Sequence, residues 1–82
     1  MQKERSIAFA IRNLSVLSYA NGFTLWHYKA ADALHAVEAP GYFGHAGDML
    51  AQGDMVMLSA ADGARIVCIA ESGSNVRTAS LA

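Results

Sequence analysis

The sequence predicts a mainly β domain: a small antiparallel sandwich or barrel with one short helix and an extended N-terminal arm. Three observations predict it. Bulky and small or polar residues alternate with a period of two along several short segments, the spacing of strands with two unlike faces. Turn chemistry separates those segments, with "ANG" at 20–22, "ADG" at 61–63 and "SGSN" at 72–75. One stretch, residues 41–53, spaces Phe43, Ala46, Met49 and Leu50 as a helix does, with Gly53 as a stop. A chain of 82 residues makes one domain, read here as an arm over 1–13 and a single β domain over 14–82.

Taken in order, Ile7, Phe9 and Ile11 alternate with Ala8 and Ala10, an extended segment with one bulky and one small face. Residues 14–19, "LSVLSY", continue in that style up to the "ANG" turn. Residues 23–30, "FTLWHYKA", form the strongest strand, with Phe23, Leu25 and His27 on one side and Thr24, Trp26 and Tyr28 on the other. Residues 31–40, "ADALHAVEAP", read either as a short helical turn or as a loop. The helix expected over 41–53 holds two internal glycines and needs tertiary support. The last thirty residues read as a meander: strand 54–60, strand 64–71 and strand 76–82.

Composition narrows the function classes. Hydrophobic residues make up 54% of the chain and charged residues 16%, where about 25% charged is typical. A chain this short buries only about 60–65% of its unfolded surface, so it gains much from partners that cover apolar surface. Cys68 is the only cysteine, which excludes an internal disulfide and fits a reducing cytoplasm. Net charge is −1 and the basic residues are scattered, without the dense positive footprint of a nucleic-acid binder. No apolar run reaches the ~18 residues of a membrane span, and the charged start lacks the features of a signal peptide.

No catalytic, cofactor or metal site is expected. His27, His35 and His45 stand eight and ten residues apart, outside compact metal-ligand spacings. Cys68 in "RIVCIAE" reads as a small buried hydrophobe rather than a nucleophile. Asp48 reads as a solvated helix residue, and Asp54 after Gly53 as a turn-leaving carboxylate that accepts backbone N–H groups. "GHAGD" matches no phosphate loop. The rings gather mid-chain at Tyr19, Phe23, Trp26, Tyr28, Tyr42 and Phe43. They are expected mostly in the core, with Trp26 or Tyr28 the candidates for a contact surface.

Leu25, Trp26 and Tyr28, followed by Gly41, Tyr42, Phe43, Leu50, Gly53 and Asp54, give an order that resembles a recurring type of small bacteriophage protein. The likeness covers roughly residues 19–81 and excludes the arm. It implies a non-enzymatic virion structural role, as a capsid decoration, cement or head-fibre component made in the host bacterial cytoplasm. The implied partners are further copies of the chain, the major capsid protein, or both, with no nucleic acid, membrane or small-molecule substrate. The interface residues expected on this reading are Ile7, Phe9, Ile11, Trp26 and Tyr28, with residues 6–11 adding a strand to a neighbour. The alternative is a cytoplasmic small-barrel module that binds a peptide or small ligand through Trp26, Tyr28 and Tyr42. A third reading is an enzyme subunit completed by another chain.

Overall fold

The period-two segments pair into one five-stranded sheet in the computed structural model, which describes residues 9–73 and 75–81. The strands are β1 (Leu14–Ala20), β2 (Phe23–Lys29), β3 (Met55–Ala60), β4 (Gly63–Glu71) and β5 (Arg77–Ser80), adjacent in chain order. Asn21 and Gly22, both at positive φ, close the β1–β2 hairpin with the turn that matches strand twist. β3, β4 and β5 form the expected antiparallel meander.

One pairing departs from the antiparallel expectation. β2 and β3 run parallel, with Trp26 beside Val56 and Tyr28 beside Leu58. The physical reason is the long connection over residues 30–54. It carries the chain back across one face of the sheet, as a parallel pair requires and a hairpin turn does not allow. The sheet is therefore mixed, and it is open rather than closed into a barrel, with β1 and β5 as its two edges.

The connection also holds the one α-helix among the described residues, and not where the sequence spacing put it. α1 is Leu34–Val37, inside the stretch that read equally as helix or loop. Its first N–H, on Leu34, is capped at 2.9 Å by Asp62 Oδ1 from the distant β3–β4 turn. Residues 44–46 form only a 3-10 turn, and Asp48 is exposed without a helix around it. Gly44 and Gly47 weaken helix propensity there. Gly47 is also required by packing, because a Cβ would collide with the Gly73 carbonyl. Even so, Phe43, Ala46 and Leu50 are buried as the spacing implied, and Met49 is exposed.

The core lies between the connection and one face of the sheet. Trp26, Tyr28, Val56, Leu58, Val67 and Ile69 project from the strands onto Val37, Phe43, Ala46, Leu50 and Val76. Full burial of each large side chain is worth about 1.5–3 kcal/mol. Of the expected arm, Phe9 and Ala10 are half-buried against this domain, and residues 11–13 are exposed. Phe9 stacks on the Tyr28 ring with centroids 5.2 Å apart, and Ile11–Asn13 make a 3-10 turn that leads into β1.

Candidate functional site

The alternation along β2, β3 and β4 gives the sheet two faces of different chemistry. The inner face is aromatic, and its polar tips are satisfied. Tyr28 meets Phe43 edge-on at 5.1 Å and Tyr42 at 6.0 Å, while Phe9 closes the group against Phe43 at 5.4 Å. Such ring pairs add about 0.5–1.5 kcal/mol beyond area burial. The hydroxyls form a relay: Ala10 N–H donates to Tyr28 Oη at 2.9 Å, Tyr28 and Tyr42 hydroxyls lie 3.1 Å apart, and Tyr42 donates to Asp32 Oδ2 at 2.8 Å. Burial, followed by the bonds to Tyr28 and Asp32, pushes the Tyr42 hydroxyl far above the ordinary tyrosine range. It therefore stays a donor.

Asp54 is the other buried polar anchor, at 2% exposure. Its Oδ1 accepts from Thr24 N–H at 3.0 Å, and its Oδ2 accepts from Trp26 Nε1–H at 3.0 Å and Ala51 N–H at 3.1 Å. Burial alone would raise its pKa, but the bonds from Thr24, Trp26 and Ala51 outweigh it and hold the carboxyl below its ordinary value. Its backbone carbonyl accepts Ile69 N–H, so one residue ties β2, the connection and β4 together. The expectation that Asp54 accepts backbone N–H groups holds, and the Trp26 indole adds a partner that no local pattern reveals. Gly53 just before it sits at φ +97°, where a Cβ would be strained and would meet the Phe23 ring at 2.6 Å.

Among the described residues, nothing covers the outer face in the same way. Register places Leu25, Met55 and Cys68 in one row across β2, β3 and β4, and His27, Met57 and Ile66 in the next. Phe23 extends the patch at 52% exposure; Met55 is 42% exposed, Met57 38% and Ile66 36%. His27 Nε2 and Ser59 Oγ share a hydrogen bond of 2.9 Å at the margin. A shallow groove of about 400 Å³ runs over His27, Met57, Ser59, Ala64, Arg65 and Ile66. Those two rows carry no carboxylate, lysine or arginine. Lys29 lies past one end of the patch, and the Arg77–Glu71 ion pair, at 3.3 Å, past the other. An apolar centre with a charged rim is the anatomy of a protein–protein interface. The edge strand β1 carries no charged residue; its exposed Val16 and Tyr19 pair with Trp26 and Thr24 and so stand on the other side of the sheet, while Leu17 lies at the bulge between Val16 and Ser18.

Most of the expected interface residues lie elsewhere. Trp26 is 6% exposed and Tyr28 1%, because their side of β2 is the one the connection covers. Neither presents a contact surface, and with Tyr42 also buried the three rings form no recognition groove. Phe9 is spent on the chain's own core. Ile11 is exposed at 53%, whereas Ile7 lies outside the described residues. Cys68, read as buried, is half-buried on the outer face beside Met55. The signal for the outer face was present in the alternation of Phe23, Leu25 and His27, and in the methionines of "DMVM". What was missing was which side the connection would cover.

A second concavity, about 450 Å³, opens beside Phe9, Ala36, Pro40, Tyr42 and His45. Among the described residues, no three His, Cys, Asp or Glu side chains gather as a metal site would require, and no helix is long and apolar enough to cross a membrane. No protein-family model matches the chain, and no curated protein or solved structure is significantly similar to it.

Proposed function

We propose that the chain is a non-enzymatic structural protein of a bacteriophage particle, of the capsid decoration, cement or head-fibre kind, that assembles by burying apolar sheet surface against other subunits. The observation that carries the reading is the uncharged centre of the outer face, at Met55, Met57 and Ile66, left open in a chain too short to waste apolar area. The buried polar groups support a structural role. Asp54 and the Tyr28–Tyr42–Asp32 relay are engaged in holding the fold.

The phage assignment itself rests on the sequence resemblance, and the fold explains why that pattern is one of packing. Trp26, Tyr28, Tyr42, Phe43, Leu50 and Asp54 are all buried, and Gly41 and Gly53 both take positive φ. Residues of that kind specify a fold and not a reaction. The test is mass spectrometry of purified particles of the phage whose genome encodes the chain, following the tryptic peptide of residues 13–29. Recovery in high copy supports the reading. Absence from particles, with the peptide present in the soluble lysate, refutes it.

A further inference from the structure

We infer that the outer face is closed by a second copy of this chain, the two sheets packing face to face about a two-fold axis that runs along β3. The inference deepens the assembly reading and rests on it.

An isologous contact requires a patch that is complementary to itself. This patch is symmetric about its middle strand. Met55 and Met57 of β3 are flanked on one side by Leu25 and His27 of β2, and on the other by Cys68 and Ile66 of β4. A two-fold axis along β3 lays β2 of one copy over β4 of the other. Leu25 and His27 then meet Cys68 and Ile66, and the methionines meet their own counterparts. Methionine suits that central position, because its unbranched thioether adapts to an identical neighbour. The two rows hold no charged side chain, so identical copies meet there without like-charge repulsion.

The area agrees. Five strands at about 4.8 Å spacing and about six residues at 3.3 Å rise give a face of roughly 500 Å² in plan. Two copies then bury about 1,000 Å², the lower limit for a specific interface. The product is a two-layer β-sandwich at the level of the dimer, with the connections on its outside.

The experiment is sedimentation equilibrium on the purified 82-residue chain, beside Met57→Lys and Ile66→Lys, both exposed positions. The expected result is a wild-type mass twice the 8.7 kDa of one chain, halved in each variant. Emission from the buried Trp26 reports that each variant is still folded. Alkylation of Cys68 gives a second readout: slow in the wild type, and accelerated in Met57→Lys as the face opens. A monomeric wild type, any other stoichiometry, or a dimer indifferent to both variants overturns the inference. The two readings fail separately. A monomer recovered from phage particles leaves the virion role standing without the dimer, and a dimer absent from particles does the reverse.

Discussion

The two faces of one sheet solve opposite problems with similar numbers of apolar side chains. On the inner side, Tyr28, Tyr42 and Phe43 are held in fixed relation by ring contacts, and Asp54 and the Tyr42–Asp32 relay bond the polar tips, the Trp26 indole among them. On the outer face, Met55, Met57 and Ile66 have no buried polar anchor beside them and more than a third of their surface exposed. The difference teaches that directional bonds define the fold, while the apolar surface without them stays exposed on the single chain, where the proposed association would cover it. A face meant to meet another chain keeps its groups unfixed until the partner arrives.

That contrast is breakable, most sharply by truncating the ring cluster. Phe43→Ala should cost about 3–5 kcal/mol, comparable to the whole stability that a single core of this size supplies. Urea titration followed by circular dichroism should find the variant largely unfolded in buffer. A loss below about 1 kcal/mol would mean that the aromatic layer is not what holds the connection to the sheet.

Asp54→Asn comes next. Oδ1 and Oδ2 both accept N–H donors, so either orientation of an amide turns its NH₂ onto a donor. The expected loss is about 1–3 kcal/mol. The acid profile sharpens this. With its folded pKa lowered, Asp54 contributes its full stabilisation above its unfolded pKa of about 3.9, and that contribution is lost as pH falls through the folded value. Wild-type stability should fall more steeply on acidification below about pH 4 than that of the variant. Parallel profiles would show that the carboxylate charge is not the source.

Tyr28→Phe should cost about 0.5–1.5 kcal/mol and speed hydrogen exchange at the Ala10 amide, which loses its acceptor. Unchanged exchange there would mean that the relay does not hold the start of the domain. The smallest effect on the chain's own fold belongs to the outer face. Met57→Lys and Ile66→Lys should each change the stability of the single chain by about 0.5 kcal/mol or less, measured at concentrations low enough to separate copies. If they cost as much as Phe43→Ala, the outer face is part of the fold and the contrast between the faces collapses.

Much of this was legible before folding, and the parts that were not share a cause. The strand limits, the Asn21–Gly22 turn and the meander follow from period-two spacing and turn chemistry, both properties of a few consecutive residues. The two sides of β2 were likewise separable from alternation alone. Which side faced inward was not, because Trp26 and Phe23 are equally apolar and only the path of residues 30–54 decides between them. The helix was misplaced for a related reason. Residues 41–53 have the spacing of a helix, but Gly47 packs against the Gly73 carbonyl, while α1 takes its cap from Asp62 in a distant turn.

The sequence by itself determined a single, mainly β chain without a disulfide, with low charge and a "GD" step where a carboxylate gathers N–H groups. The tertiary structure alone decided that β2 and β3 run parallel, that the Trp26 indole completes the Asp54 site, and that the methionine face stays open. Local spacing fixes which residues share a face, since that depends on backbone geometry over a few bonds. Which face is covered depends on where a long connection travels, and only contacts between residues far apart in the chain can set that.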